Sequence, residues 1–153
     1  MNIMDNFIIF CAQYLYIVIV LIGVGFIFQS RKKKELIFIA IASALLSYIL
    51  AKLLGNIIKS PRPLFSEHIQ PLIPTANDNG FPSDHTLLAM TIALFVFAYN
   101  KKIGIFLLVL ALIVGITRIA THSHHIIDVM GSILICVVST MTVVLIAKWY
   151  NRK

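Results

Sequence analysis

The chain has 153 residues, 59% of them hydrophobic and 12% charged, with a formal net charge of +7 and a mean hydropathy of +0.94. A soluble domain carries about twice that share of charged residues. The composition therefore excludes an ordinary soluble globule and indicates one all-α integral membrane domain over residues 1–153. The positive charge does not argue for nucleic acid as a partner, because most of the basic residues flank apolar runs, where membrane proteins need them.

The opening stretch, Met1 to Asn6, contains Asp5 and no base, and bases follow the first apolar run. That is the reverse of a signal peptide and predicts a retained first span with its N-terminus outside. Five apolar stretches are long enough to cross, or nearly cross, a hydrocarbon core of about 30 Å: Phe7–Phe28, Glu35–Leu54, Ser83–Tyr99, Ile103–Ala120 and His125–Trp149. None shows the period-2 alternation of a strand, so about five transmembrane helices are expected. The other loops are short, which predicts an antiparallel bundle. The connection Gly55–Pro82 is long and holds all 5 prolines. Cys11 and Cys136 lie inside apolar runs and read as small core residues, not as a disulfide or zinc site.

Basic residues orient the bundle. Arg31 to Lys34 place the first loop in the cytoplasm. Alternation then puts Gly55–Pro82 outside, Asn100–Lys102 inside, Thr121–His124 outside and the C-terminus inside. Lys101, Lys102, Lys148, Arg152 and Lys153 obey the same assignment, whereas Lys52, Lys59, Arg62, Arg118 and all 5 histidines lie toward the other side. The expected site is thus extracytoplasmic, in a cell membrane.

Three polar segments gather on that outer side. In Lys59-Ser60-Pro61-Arg62-Pro63, two prolines stiffen the backbone around a guanidinium able to fork onto phosphate oxygens. In Phe81-Pro82-Ser83-Asp84-His85-Thr86, Ser83 reads as a helix N-cap, and the free amides of the following turn form a phosphate seat with His85 beside it. In the third segment, Thr117 to Asp128, His124 and Asp128 are spaced to share a helix face, so the carboxylate can fix the imidazole tautomer as a histidine nucleophile requires. Arg118, near the end of the fourth span, is costly there and marks function. Each segment alone has an ordinary explanation: a simple cap, a headgroup-level arginine, a snorkelling side chain. Together they supply an anion cradle with a nucleophile and a proton donor.

At these residues the chain resembles the type 2 phosphatidic acid phosphatase superfamily of membrane lipid phosphatases. The family's signatures appear as Arg62-Pro63, as Pro82-Ser83-Asp84-His85, and as Thr117-Arg118 followed by His124 and Asp128. The core motifs span residues 52–128. The family's first-motif Lys falls on Gly55, with Lys52 one turn earlier and Lys59 three residues before Arg62, and either could replace it. Asp84 stands where the family has Gly. The variant Phe-Pro-Ser-Asp-His-Thr, preceded by Leu72 to Asn77, is similar to the bacterial undecaprenyl-diphosphate phosphatase subgroup.

The resemblance implies that Arg62, Arg118, Ser83 and the amides after it hold the terminal phosphate. It implies that His124 attacks phosphorus to form a phosphohistidine, that Asp128 orients His124, and that His85 protonates the leaving oxygen and then activates water. No cofactor or metal is expected. Lys52, Lys59 and Asp84 join the candidate phosphate-binding residues, although a carboxylate at position 84 should repel phosphate unless it caps the helix, pairs with an arginine or tunes a histidine. His122 and His125 are unassigned, with a packing or headgroup role expected for His125, and Asn77 to Asn79 are expected in a solvated lip over the site. The expected partners are an amphiphilic lipid phosphate and membrane lipids, with oligomeric state open. Undecaprenyl diphosphate is the expected substrate, recycled as carrier lipid for peptidoglycan precursors. The competing readings are a phosphatidylglycerophosphate or phosphatidic acid phosphatase, a non-catalytic lipid-phosphate transporter or flippase, and a metal site built on His122, His124 and His125.

Overall fold

Six helices account for most of the computed structural model, which describes residues 2–152. They are α1 (Ile3–Gln29), α2 (Lys33–Ile57), α3 (Pro63–Ser66), α4 (Asp84–Tyr99), α5 (Lys101–Ala120) and α6 (Ile126–Tyr150). Four of them, α1, α2, α5 and α6, are long and apolar enough to cross a membrane. Their outward faces carry exposed Phe38, Leu45, Phe106 and Leu134, the surface expected of helices that meet hydrocarbon. The chain is an integral membrane protein.

The α4 helix is shorter than the other four apolar helices. Its 16 residues cover about 24 Å at the α-helical rise, short of a hydrocarbon core. It packs against α1, α2, α5 and α6, and most of its side chains are buried. A helix wrapped by others meets little lipid, so neither its length nor its polarity has to match the bilayer. Close approach to α5 depends on Gly104, where an added Cβ would overlap Phe97.

Where α2, α4 and α6 meet, the seam is made of small hydroxyl side chains. Ser47 Oγ lies 2.6 Å from Ser139 Oγ, and Thr91 Oγ1 donates to Ser47 Oγ at 3.1 Å. Small residues let backbones come close, and paired hydroxyls join helices where no hydrophobic force between them is available. Cys136 sits in this seam, 3.2 Å from Thr91. Both cysteines are free and buried.

The two ends of the bundle differ in character. At one end Lys148 donates to Ala98 O and Asn151 to Glu35, so the start of α2 and the ends of α4 and α6 lie together. At the other end the connection after α2 folds over the α5–α6 turn, where Leu72 N–H donates to Thr121 O at 3.0 Å. This second end carries all three polar segments. The connection contains α3, a single turn opened by Pro63 at a position where its missing N–H costs nothing.

Candidate active site

Arg62 stands just before α3, with extended backbone between Pro61 and Pro63. Its Nε donates to Asp78 Oδ1 at 2.6 Å. Its Nη1 donates to Ser123 O at 3.1 Å and lies 3.2 Å from His124 Nε2. A guanidinium has no acceptor, so Nε2 of His124 must present its lone pair to Arg62. The proton of a neutral ring is then on Nδ1, which lies 2.9 Å from Gly80 O and 3.4 Å from Asp128 Oδ2. The expected His124–Asp128 proximity is present, but the shorter partner is a backbone carbonyl.

His124 is buried and its pKa is lowered. Burial is the largest cause, with Arg118 and Arg62 adding repulsion, while the hydrogen bond to Asp128 works against them. The ring is therefore held neutral near pH 7, as a nucleophile with a free lone pair requires.

Asp128 is fully buried in the first turn of α6. Its Oδ2 accepts the His125 N–H at 2.9 Å, so one carboxylate both caps the helix and faces His124. Its main-chain oxygen accepts from Ser132 Oγ at 2.8 Å and faces the Ser83 N–H at 3.3 Å. These contacts join the start of α6 to the start of α4.

Ser83 occupies the N-cap position of α4, as its sequence context predicts, but its side chain makes no capping bond. Its Oγ accepts from Thr86 Oγ1 at 3.1 Å instead. The hydroxyl proton stays free to donate, and the first-turn amides of α4 keep their anion-binding capacity. His85, half-buried on that turn, lies within electrostatic reach of Arg118, His124, Asp84 and Arg62. Its ring packs edge-on against Tyr16 of α1, with centroids 4.6 Å apart.

Arg118 ends the set. It is 6% exposed in the last turns of α5, and its Nε is buried with no hydrogen-bond partner. Leaving a buried charged donor unmatched costs several kcal/mol unless something else matches it. A phosphate oxygen would do so.

Arg62, Arg118, Ser83, His85, His124 and Asp128 thus converge at one end of the bundle. Asp84 acts electrostatically on His85 and Arg118 from the edge of this cluster, whereas Lys52 and Lys59 lie outside it. Lys59 is exposed. Lys52 is exposed on α2, 5.3 Å from the Tyr48 ring, and lines a neighbouring cavity with Asp84. Gly55, at the first-motif Lys position, has Phe81 O 3.0 Å from where its Cβ would be, so a side chain there would press on the Phe81 carbonyl. His122 is exposed with a left-handed backbone (φ 54°), while His124 and His125 take separate partners, Gly80 O and Pro61 O.

Several participants escape a reading of the sequence. Gly80 supplies the carbonyl for His124 and fits tightly: a Cβ would come 2.9 Å from Asp128 Oδ2 and 3.0 Å from Ser60 O. Asn79, expected in a solvated lip, instead donates to Gly55 O, Ile58 O and Phe81 O and accepts from Ser60 N–H at 2.8 Å. The Asn-Gly pair was the available signal, since it marks a turn that brings backbone close to something else.

Residues 36–152 match the PAP2 superfamily. The chain belongs to that superfamily. Two curated relatives are similar over most of their length. One is the bacitracin transport permease protein BcrC of Bacillus licheniformis, 31% identical across 93% of this chain and 71% of that protein. The other is the undecaprenyl-diphosphatase BcrC of Bacillus subtilis (strain 168), 27% identical across 90% of this chain and 72% of that protein. Among solved structures, the crystal structure of Aquifex aeolicus LpxE superposes with a TM-score of 0.75 at 28% identity, covering 94% of this chain and 86% of LpxE. With these relatives and this site, the PAP2 chain is a lipid phosphatase.

Proposed function

We propose that this PAP2 protein hydrolyses the terminal phosphate of undecaprenyl diphosphate, giving undecaprenyl phosphate and inorganic phosphate through a phosphohistidine. The observation that carries the reading is the fixed tautomer of His124. Nδ1–H is committed to Gly80 O and Nε2 offers its lone pair toward Arg62, so the nitrogen that must attack is already unprotonated. Arg62, Arg118, Ser83 Oγ and the first amides of α4 take the equatorial phosphate oxygens, where charge is spread in the transition state. Nε2 bonds phosphorus as the bond to the lipid-side oxygen breaks. His85 gives its proton to that oxygen, then takes one from the water that cleaves the N–P bond. Asp128 balances the imidazolium formed in between. The positive groups supply the charge compensation, so the reaction is metal-independent.

Undecaprenyl diphosphate is favoured by the Phe81–Thr86 motif and by the name of the Bacillus subtilis relative. Phosphatidylglycerophosphate or phosphatidic acid would undergo the same chemistry. In this reading α4 completes a fifth crossing of an antiparallel bundle, the N-terminus is outside, the C-terminus is cytoplasmic and the site opens at the extracytoplasmic face. The Bacillus licheniformis relative carries a permease name, which favours a second reading: lipid-phosphate binding and movement without hydrolysis.

One experiment separates them. Purified protein is given undecaprenyl diphosphate or phosphatidic acid with EDTA, and phosphate release and acid-labile protein-bound phosphate are measured. Release that is abolished in His124→Ala supports the enzyme. Tight binding with no release supports the permease reading, and near-wild-type release by His124→Ala removes the assigned nucleophile.

A further inference from the structure

Three cavities lie in line along α2 and α4, the first of them beside the cluster. That first one, at the head of the row, is a cavity of about 210 Å³ lined by Lys52, Asn56, Asn79 and Asp84. Tyr48, Lys52 and Asp84 also line a second cavity, of about 380 Å³, which continues to Ala44 and Leu88. Ala44 and Leu88 in turn line a third, of about 310 Å³, bounded by Ala40, Ile37 and Ile92 and by α1. Each cavity shares lining residues with the next, so the three form a row. From Asn56 to Ile37 it follows α2 for about 29 Å at the helical rise, close to the thickness of a hydrocarbon core.

Its chemistry changes along its length. Charged and amide side chains form the head, and no charged side chain lines the third cavity. Asp84, at the head, is the residue between Ser83 and His85. We propose that this α2–α4 groove binds the hydrocarbon chain of the lipid phosphate, with Lys52 at the level where the charged head gives way to the chain. The proposal rests on the lipid-phosphatase reading. The groove's polarity follows an amphiphile from head to tail, and its head adjoins the cluster. A larger groove of about 520 Å³ between α2 and α6 opens beside Glu35 and Asn151, at the end remote from His124, so no chain whose phosphate is in the site can start there.

Two positions on α2 give a matched pair. Ala44 is exposed in the proposed track, eight residues or about 12 Å from Lys52, and Ala42 lines the rival groove. KM is measured for undecaprenyl diphosphate and for isopentenyl diphosphate, whose tail is too short to reach Ala44. Ala44→Phe is expected to raise KM for the long lipid about tenfold and to leave the short one within about twofold. Ala42→Phe is expected to change neither. Equal effects of Ala44→Phe on both substrates, or an Ala42→Phe effect matching it, would overturn the proposal. Leu88→Phe, from the opposite wall, serves if Ala44→Phe does not fold. Affinity for undecaprenyl phosphate reads the same track without turnover. Weakened binding in Ala44→Phe alone, in a protein that hydrolyses nothing, would keep the groove and remove the enzymatic reading.

Discussion

The Nδ1 of His124 lies 2.9 Å from the carbonyl oxygen of Gly80, inside hydrogen-bond range, while the Asp128 carboxylate is at 3.4 Å. His124 itself stands in the turn before α6, not on a helix face shared with Asp128, so its ring is held by a turn of the long connection as well as by the first turn of α6. Gly80 cannot grow without consequence, because a Cβ would press on Asp128 Oδ2 and Ser60 O, one a buried carboxylate and the other main chain. Gly80→Ala is expected to displace both partners of the His124 ring and to lower kcat about 10²-fold, the scale of a misplacement near 1 Å. Single-turnover phosphorylation of His124, with circular dichroism as a control for folding, checks it. An unchanged rate would show that the carbonyl has no orienting role.

Two acceptors for Nδ1–H also set the size of the Asp128 effect. In a serine-protease triad, where the carboxylate alone fixes the tautomer, converting it to an amide costs about 10⁴-fold. With Gly80 O still in place, Asp128→Asn is expected to cost less, about 10²-fold in kcat. The acid limb of the pH profile supplies a second reading. His124 titrates below its ordinary 6.5, and its base form is the active one in the proposed mechanism, so this limb of kcat/KM is expected below pH 6.5. Asp128 is the group that opposes the lowering, so Asp128→Asn is expected to move the limb further toward acid. The linked stability has the same sign. A depressed histidine pKa means the unfolded chain binds the proton more readily, so the contribution is fully present above about pH 6.5 and is lost as the pH falls. Thermal unfolding between pH 7 and 5 tests this.

The part of this site that the sequence makes legible is the part written in side chains. Arg62, Arg118, His85, His124 and Asp128 each carry a charge or ring that is expensive in a membrane helix or at its end, and that expense is visible without coordinates. Gly80 contributes a carbonyl, which every residue has, so nothing in its side chain signals the role. Asn79 looks like a solvated loop residue because its partners, three main-chain oxygens, depend on how residues 55–82 fold back. The helices were legible from their apolar lengths. The central place of α4 was not, because an apolar run that faces lipid and one that faces other helices read alike, and only its 16-residue length hints at the difference.

His125 follows His124 and also grips the Arg62 segment. Its Nε2 lies 3.0 Å from Pro61 O and 3.2 Å from Ser66 Oγ, and Glu67 Oε1 is 3.4 Å from Nδ1. Carbonyl oxygens only accept, so Nε2 carries a proton and donates. His125→Ala is expected to loosen Arg62 relative to His124 and to raise KM about fivefold to tenfold with a smaller change in kcat. His125→Gln, which keeps a donor, is expected to recover part of the loss. A merely structural role would lower the melting temperature without this split and without rescue by glutamine.

Arg118 opposes stability and function most directly. Arg118 is 6% exposed and its Nε lacks a partner among the described residues, so the folded protein bears a desolvation cost that a bound anion would relieve. Replacing buried charges by apolar side chains of similar volume often stabilises a fold, by about 1–4 kcal/mol. Arg118→Met is therefore expected to raise the melting temperature while phosphate release falls about 10³-fold, the scale for removing a preorganised charge from a transition state. Inorganic phosphate should stabilise the wild type against heat, because it binds only the folded state, and should have a much smaller effect on Arg118→Met. A destabilised variant that still responds to phosphate would show that Arg118 is matched by some group other than an anion, and that its place at the end of α5 serves packing.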